Sequence, residues 1–358
     1  MNRHIKYKFW RLMGNIFSRR QTNYDLSEWN LNSLNSILVL RPDRLGDVVL
    51  SIPVYESIKR SLPQTKLTVL VRKGSADVLR NNPFIDRVLI FNPRLPWKIF
   101  RDLKSETFNL AIVLNQMFSA TAATLSLLSG APWRAGYAHP ENTGVFNIRV
   151  PLTPIDKPEV EHNLDVLRHL SFPIVSTSPT VYPDTEIENR INTLLKRVRK
   201  RPGLPLILIK PGARLSKWRW RIDKFKTLCD KVRLQGLGEI LLIKGPGEET
   251  LIENFLSDME SPPEVLPKLN IGELASVMRK ADLLVCNHTG VMHIASAVKT
   301  PIAAIFKHGD ILRWGPYEVP HVILEERDSD ELSPETVFEK MRDLLKKPLR
   351  RTHNKNPA

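Results

Sequence analysis

The sequence is poor in cysteine and has no long apolar run. Its 358 residues include two cysteines, Cys229 and Cys286, which are far apart and lie in largely apolar segments. They predict buried free thiols in a reducing compartment, not a disulfide framework. No run approaches the roughly 20 apolar residues of a membrane-spanning helix, and the basic N-terminus lacks the apolar core of a signal peptide. We therefore expect a cytoplasmic protein that can rest peripherally on a membrane.

Acidic residues are also scarce relative to basic ones. The chain has 53 Lys and Arg against 38 Asp and Glu, a formal net charge of +15. This excess predicts an anionic partner, which charge alone does not identify: a phosphorylated substrate, an anionic membrane face or nucleic acid. No cluster of histidine and cysteine has metal-ligand spacing and no paired acidic motif is present, so we expect no metal.

Short apolar strands alternate with helices through most of the chain. This alternation predicts an α/β protein with parallel sheets covered on both faces. A stretch rich in proline and serine, 171–183, separates two halves of similar size. We therefore predict domains at 36–183 and 184–345, a basic arm at 1–35 and a basic, frayed tail at 346–358.

The N-terminal arm carries apolar residues at helical spacing between basic ones. The apolar set is Phe9, Leu12, Met13, Ile16 and Phe17. As a helix, residues 1–20 would have one apolar stripe and a basic face, which is typical of an interfacial amphipathic helix. A helix packed on its own domain or a disordered arm fits the same pattern.

The stretch SILVLRPDRLGDVVLSIPVY predicts a first strand, loop and helix. We expect the strand at Ile37–Leu40, the loop at Arg41–Gly46 and the helix at Asp47–Lys59. Ligands of open α/β sheets bind beyond the carboxyl ends of strands, so this loop is a candidate site. It lacks the lysine of a P-loop and the glycines of a dinucleotide fingerprint. A solvated loop is the competing interpretation.

Three strand ends in the second half carry candidate groups. KPGARLSKWRW places Lys210, Arg214 and Lys217 near Gly212 and two tryptophans, the donor set that a diphosphate needs. GPGEE suits a ribose held by a carboxylate, or a tight turn at a helix start. NHTGVMH brings backbone N–H groups to the start of a helix, where an anion can bind, although its second histidine fits a core position equally well.

In this order, these stretches resemble glycosyltransferase family 9, the ADP-heptose lipopolysaccharide heptosyltransferases. The resemblance runs through RPDRLGDVVLSIP, NPFIDRVLIFN, HNLDVLRHL, KPGARLSKWRW, KGPGEE, ADLLVCNHTGVMHIASAVKTPIAAIF and WGPY. It implies a GT-B fold, in which two Rossmann-like domains face each other across a cleft. The first would hold the acceptor and the second the nucleotide-sugar. Inverting transfer without metal or cofactor is implied as well.

The resemblance also implies roles for particular residues. Asp47 looks like the general base, with Arg41, Arg44 and Gly46 on the acceptor side. Lys217 matches a lysine that steadies the donor diphosphate and Glu248 a ribose-binding glutamate. The remaining donor-side residues are Arg214, Asn287, His288, Thr289, Gly290 and His293. Many members have aspartate where this chain has His288, which bears on the identity of the donor sugar.

The resulting expectation is transfer of a heptose from ADP-heptose to an inner-core lipopolysaccharide sugar, an anionic glycolipid at the cytoplasmic leaflet of the inner membrane. Transfer of another nucleotide-activated sugar, or to another acceptor, fits the same motifs. A non-catalytic nucleotide-sugar binder or a polyanion binder would share the charge. No nucleic-acid-binding motif is visible, so we expect no nucleic-acid partner.

Overall fold

The computed structural model describes residues 29–154, 156–327 and 330–346. The chain divides into two compact units between Tyr182 and Pro183, next to the boundary at 183/184 that composition suggested. The stripe in residues 1–20 and the tail beyond residue 346 lie outside the described residues, so the predictions made for them stay predictions.

The first unit is built on six parallel strands. They are β1 Ser36–Arg41, β2 Lys66–Arg72, β3 Arg87–Phe91, β4 Leu110–Val113, β5 Trp133–Tyr137 and β6 Ile148–Val150. Their order in the sheet is β3-β2-β1-β4-β5-β6. The helices are α1 Leu45–Val49, α2 Ile52–Ser61, α3 Lys73–Ala76, α4 Pro96–Lys104, α5 Ala120–Leu128 and α6 Glu159–His169. Short 3-10 turns occur at Leu31–Ser33, Asp77–Leu79 and Pro140–Asn142.

The second unit repeats this plan. Its strands are β7 Leu206–Lys210, β8 Glu239–Leu242, β9 Glu264–Val265, β10 Leu283–Asn287, β11 Ile302–Phe306 and β12 His321–Glu325. They are parallel in the order β12-β11-β10-β7-β8-β9. The helices are α7 Thr185–Val198, α8 Ile222–Leu234, α9 Glu249–Leu256, α10 Ile271–Lys280, α11 Gly290–Ala297, α12 Ile311–Trp314 and α13 Pro334–Lys346, with a 3-10 turn at Ser216–Trp218.

Both sheets have the strand order of a Rossmann fold. In each unit the order reverses at one place, between β1 and β4 in the first and between β7 and β10 in the second. Ligands bind at such topological switch points because the loops beyond the two strands diverge and leave a crevice. Three of the loops that the sequence singled out follow β1, β7 and β10, so they lie at these positions, and the fourth, GPGEE, follows the neighbouring strand β8.

The central strands are buried because helices cover both faces of each sheet. Every residue of β1, β4 and β5 is buried in the first unit, as is every residue of β7, β10 and β11 in the second. Local signals set the helix starts: Asp184 accepts a hydrogen bond from the N–H of Ile187 at 2.7 Å, and Asn270 forms a capping box with Glu273. The local signals in the sequence, apolar runs for strands and capping residues for helix starts, therefore coincide with the strands and helices of the structure.

Some element bounds differ from those predicted. The first strand continues through Arg41, and the helix expected at Asp47–Lys59 is two helices, α1 and α2. Pro53 causes the break, because it lacks an N–H and is accommodated in the first turn of α2. Five short or late elements were not predicted: β6, β9, α12, β12 and α13. The two-residue strand β9 is too short to show any periodicity.

Both cysteines are buried free thiols, as predicted. Burial raises the pKa of Cys286 to about 12, with the charge of Lys210 opposing this shift. Across the described ranges, no helix has both the length and the apolar character to cross a bilayer.

Candidate functional site

The end of β1 places a buried arginine among three carboxylates. The Arg41 side chain is 2% exposed, and its Nη2 lies 2.7 Å from Glu159 Oε1 and 3.4 Å from Asp47 Oδ1. Its Nε lies 3.5 Å from Asp43 Oδ2. Burial lowers the pKa of Arg41, but the three negative charges outweigh it and leave the pKa above the usual value. Arg41, expected on the acceptor side, is therefore a structural cation that gathers carboxylates.

Asp47 is held only loosely within this cluster. It is the third residue of α1, and its Oδ2 accepts a hydrogen bond from the backbone N–H of Arg44 at 3.3 Å. Its contact with Arg41 is also long, and its side chain is 22% exposed. A partly exposed carboxylate with two weak contacts retains lone pairs for a substrate hydroxyl.

The other two carboxylates are more firmly engaged. Asp43 Oδ2 accepts a hydrogen bond from Asn115 Nδ2 at 2.7 Å, which joins the loops after β1 and β4. Glu159 is 2% exposed and holds Arg41. Arg44 is exposed beside Asp47, while Gly46 lies buried inside α1 and not in the loop where it was expected. Arg44 thus remains available to an anionic substrate.

In the second unit, Glu248 is paired with a buried lysine. Lys210, the last residue of β7, is 3% exposed, and its Nζ lies 2.5 Å from Glu248 Oε2. The same oxygen accepts a hydrogen bond from the N–H of Gly245 at 2.7 Å. Burial lowers the pKa of Lys210 and the adjacent carboxylate opposes that shift. Lys210 was expected among the diphosphate donors, but it anchors Glu248 instead.

Gly212 makes room for this carboxylate. A Cβ at Gly212 would lie 2.0 Å from Glu248 Oε1, far inside van der Waals contact. The glycine of the KPGAR loop thus admits the Glu248 side chain, whereas the sequence suggested that it admits a phosphate.

Asn287, the last residue of β10, ties the loop after β7 to that strand. Its Oδ1 accepts a hydrogen bond from the Trp220 N–H at 2.8 Å, and its Nδ2 donates to the Pro211 carbonyl at 2.7 Å. The side chain is fully buried with both of its polar atoms in use. Trp220 is fully buried too, and its ring N–H donates to the Leu332 carbonyl. Neither residue is in position to contact a ligand directly, so both shape the loop.

Arg214, Trp218, His288 and Phe306 form a stack. The Arg214 guanidinium lies 5.0 Å from the Trp218 ring centroid. His288 stacks on Phe306 at 4.6 Å and faces Trp218 at 6.5 Å. Such cation–π and ring contacts orient the side chains that lie after β7, β10 and β11.

A backbone carbonyl and burial decide the protonation of His288. Its Nδ1 lies 3.3 Å from the His308 carbonyl. Because a carbonyl only accepts, Nδ1 carries the proton and Nε2 presents a lone pair. Burial lowers the pKa of His288 and the His308 carbonyl opposes the shift, so the ring is neutral at pH 7. It offers one acceptor without the negative charge of a carboxylate.

Lys217 is an exposed cation of the loop after β7. It lies exposed in the 3-10 turn Ser216–Trp218. Within the described ranges no hydrogen bond or ion pair engages it. By contrast, the Arg219 Nε donates to the Ala213 carbonyl at 3.1 Å and folds the loop back on itself. Lys217 can therefore pair with an anionic ligand without first breaking an internal contact.

Helix α11 starts beside His288. Thr289 precedes its first residue, Gly290, and makes no side-chain capping bond. The first N–H groups of an α-helix have no intrahelical acceptors, so this end favours an anion. His293 is different: it is 3% exposed, and burial first, then the charge of His288, lower its pKa to about 3. It is a neutral core residue, which is the alternative that the sequence left open.

Sequence reasoning missed Glu159 and Asn115 as parts of the first cluster. Glu159 lies 118 residues from Arg41 along the chain, and an acidic residue in the first turn of a helix is a common feature that does not by itself indicate a site. The position of Asn115 just after β4 could have signalled a partner for the β1 loop. In the part of the chain that the structure describes, no group of three or more His, Cys, Asp or Glu residues is arranged to hold a metal ion.

Comparison with known proteins relates this geometry to one family. Residues 96–342 match glycosyltransferase family 9 (heptosyltransferase). Lipopolysaccharide heptosyltransferase 3 of Escherichia coli is 24% identical over 292 residues, 76% of this chain and 83% of that protein. The match to the family begins after the β1 loop, and the alignment to the relative spans most of both chains.

Solved structures show the same fold. A family 9 glycosyltransferase from Veillonella parvula DSM 2008 superposes with a TM-score of 0.78 at 20% identity, covering 87% of this chain and 97% of that one. The E. coli ADP-heptose lipopolysaccharide heptosyltransferase II superposes with a TM-score of 0.73 at 18% identity, covering 87% and 98%. The two Rossmann-like units are thus those of a GT-B fold, as predicted. With the family match spanning well over half of its residues, the chain belongs to glycosyltransferase family 9 and is a glycosyltransferase.

Proposed function

We propose that the protein transfers a heptose from ADP-heptose to a sugar of the lipopolysaccharide core, with inversion and without a metal ion. The observation that carries this proposal is the pair of available groups at the two switch points. Asp47 is a partly exposed carboxylate and Lys217 an exposed cation, while Glu159 and Glu248 are each held by a buried basic side chain. The identities of the donor and acceptor, ADP-heptose and lipopolysaccharide, are taken from the names of the related proteins.

In the proposed reaction, Asp47 removes the proton of an acceptor hydroxyl. The oxygen then attacks the anomeric carbon of the donor, and the bond from that carbon to the diphosphate breaks, leaving its electron pair on ADP. Attack from the side opposite the leaving group inverts the configuration. Asp47 must lie within about 3 Å of the hydroxyl in the reacting complex. Its weak contacts support this role, because little must be broken to accept the proton.

Charge on the departing ADP is stabilised by the KPGARLSK loop and the start of α11. Lys217 and Arg214 supply positive charge, and the N–H groups at Thr289 and Gly290 supply dipoles. These groups can replace a divalent ion in stabilising the leaving group. Glu248 is a candidate for the ribose hydroxyls: Lys210 Nζ donates to both of its carboxylate oxygens, at 2.6 and 2.5 Å, and the Gly245 N–H donates to one of them.

The acceptor is proposed to be an anionic glycolipid. Exposed Arg44 beside Asp47 supports binding of its phosphates, and the net charge of +15 supports a position at an anionic membrane face in the cytoplasm. The basic stripe of residues 1–20 is the sequence feature that favours peripheral contact.

Calorimetric titration with ADP, UDP, GDP and ADP-heptose tests the donor assignment. We expect ADP and ADP-heptose to bind selectively, and Lys217→Ala to weaken ADP roughly tenfold or more, since an ion pair to a diphosphate is lost. Lys340→Ala, which removes an exposed lysine from α13, is the matched control and should bind like the parent. Equal affinity of the Lys217→Ala variant and the parent would remove Lys217 from the site.

A second candidate is a transferase of the same fold that uses another nucleotide-sugar. Neutral His288 favours it, because one acceptor without charge binds sugar hydroxyls differently from an aspartate. Preference for UDP or GDP in the titration would support it. Binding of no nucleotide would favour the polyanion binder, whose affinity should fall steeply with salt and not depend on Asp47.

A further inference from the structure

Helix α4 exposes aromatic side chains that the core does not need. Ile99 and Leu103 are 1% and 0% exposed and pack into the core of the first unit. Trp97 and Phe100, in contrast, are 65% and 39% exposed. At about 100° per residue, Trp97 lies roughly opposite the buried stripe and Phe100 beside it. Packing within the unit therefore explains one side of α4 and leaves an aromatic side in water.

Basic side chains share this outward side. Each is exposed, and they occupy the helix and the turn before it: Arg94, Lys98, Arg101 and Lys104. None forms an ion pair within the described residues, whereas Lys59 of the same unit pairs with Asp86 at 2.8 Å. The single acid of the helix, Asp102, is only partly exposed. The outward face of α4 is thus both aromatic and strongly cationic.

We propose that this face, formed by Trp97, Lys98, Phe100, Arg101 and Lys104, docks onto an anionic phospholipid bilayer. The chemistry is complementary, because tryptophan and phenylalanine favour the region between headgroups and acyl chains and the cations meet the phosphates. A soluble anion would account for the cations but not for two exposed rings. The inference does not depend on the transferase activity, since a chain without turnover would dock in the same way.

A site-specific probe tests the contact in the full chain. Both native cysteines are buried, so Phe100→Cys can be labelled with an environment-sensitive fluorophore. We expect a blue shift with vesicles of phosphatidylcholine and phosphatidylglycerol, and none with phosphatidylcholine alone. Leu234→Cys, at a residue of α8 that is 72% exposed, is the control and should show no shift with either vesicle.

Charge removal gives an independent measurement. The double substitution Lys98→Gln with Arg101→Gln should lower the vesicle partition coefficient roughly tenfold to thirtyfold, because each basic residue at such a surface contributes about fivefold. Lys196→Gln with Arg197→Gln removes the same charge from the exposed end of α7 and should lower it by less than about threefold.

Three outcomes would overturn the proposal. Vesicle binding without a shift at the α4 probe would place the contact elsewhere, for example on the N-terminal arm. An equal fluorescence shift with phosphatidylcholine vesicles would show that the basic residues of α4 do not contribute to binding. A shift that grows with protein concentration in the absence of vesicles would make the face a contact between two copies of the chain.

Discussion

Asp47 makes weaker contacts than Glu159 and Asp43, the other two carboxylates around Arg41. Glu159 is buried against the guanidinium, and Asp43 is bound to Asn115 at 2.7 Å. Asp47 has contacts of 3.3 and 3.4 Å and is the third residue of a helix that follows the strand end. Of the three carboxylates around Arg41, Asp47 is thus the one without a contact shorter than 3.3 Å.

Asp47→Asn should lower kcat at least roughly a hundredfold, the scale expected for loss of a general base, with the affinity for ADP nearly unchanged. Asparagine keeps an oxygen for the Arg44 N–H, so the start of α1 should persist. Steady-state kinetics with a lipopolysaccharide-core acceptor and calorimetry with ADP measure the two quantities.

Two comparison variants make this result specific. Asp43→Asn should cost much less, because that carboxylate is already engaged by Asn115. Asp258→Asn, at an exposed residue whose positive φ of 61° asparagine tolerates, should leave the rate unchanged. An unchanged rate in Asp47→Asn, or a larger loss in Asp43→Asn, would assign the base elsewhere.

His293 links stability to pH. Burial lowers its pKa to about 3 from the ordinary 6.5, so below pH 6.5 the unfolded chain binds a proton that the folded chain does not. The stabilisation from neutral His293 is therefore present above pH 6.5 and is lost as the pH falls toward 3. The loss has a limiting slope of about 1.4 kcal/mol per pH unit.

Urea unfolding of the parent and of His293→Gln between pH 5 and 8 measures this contribution. Glutamine lowers stability at every pH, because its buried amide is not fully satisfied, but it does not titrate. The stability gap between the two proteins should narrow as the pH falls below 6.5. A gap that stays constant with pH would show that His293 binds its proton equally well in both states.

At the scale of elements, the loop after β7 depends on a carboxylate that reaches it from the start of α9. Glu248 crosses to Lys210 over Gly212, and Asn287 ties the same loop to β10. Side-chain contacts thus join the ends of β7, β8 and β10, which the sequence presented as three separate candidate sites, into one edge of the sheet. Lys217 and Arg214 are presented from a loop whose base is rigidly held.

Gly212→Ala should destabilise the protein by about 2 kcal/mol, because the new methyl group displaces Glu248 and leaves the buried Lys210 charge without its partner. Denaturant unfolding measures the change. Gly203→Ala is the control: nothing lies within 4 Å of a Cβ there, so its stability should be close to that of the parent. Equal stability of both variants would mean that Glu248 relaxes without cost.

At the scale of the whole molecule, the two units share one strand order and present their candidate groups at matching places. Asp47 follows the first strand of its sheet and Lys217 follows the first strand of the other, each beside a switch point. A repeated plan thus presents a partly exposed carboxylate on one unit and an exposed lysine on the other, the two groups to which the proposed reaction gives the acceptor and donor roles.

Deleting residues 1–20 should reduce binding to anionic vesicles, because the deleted stripe is apolar and basic. Activity on a soluble acceptor should be kept, since the candidate groups lie in other parts of the chain. Vesicle sedimentation and kinetics with a delipidated acceptor measure both. The vesicle binding that remains after the deletion should fall further when Lys98→Gln and Arg101→Gln are added. Vesicle binding that is unchanged by the deletion would show that the arm is not an anchor.

The sequence by itself determined the fold class, the positions of most strands and the candidate loops. Apolar runs such as Ile37–Leu40 and Leu206–Ile209 mark central strands, and the residues that follow a strand must lie at the carboxyl edge of a parallel sheet. These signals are local and need no knowledge of distant partners. They placed Asp47 and Lys217 near those edges, and the resemblance to the family singled them out among the charged residues there.

Only the tertiary structure decided which polar groups at those edges are available. Arg41 is occupied by Glu159 across 118 residues, Lys210 by Glu248, and Asn287 by the backbone of the neighbouring loop. Trp220 faces the core although it stands between Arg219 and Arg221 in the sequence, and His293 lies in the core with its apolar neighbours. The physical reason is that burial and ion pairing depend on which side chains the fold brings within a few ångströms, and separation along the chain does not record that.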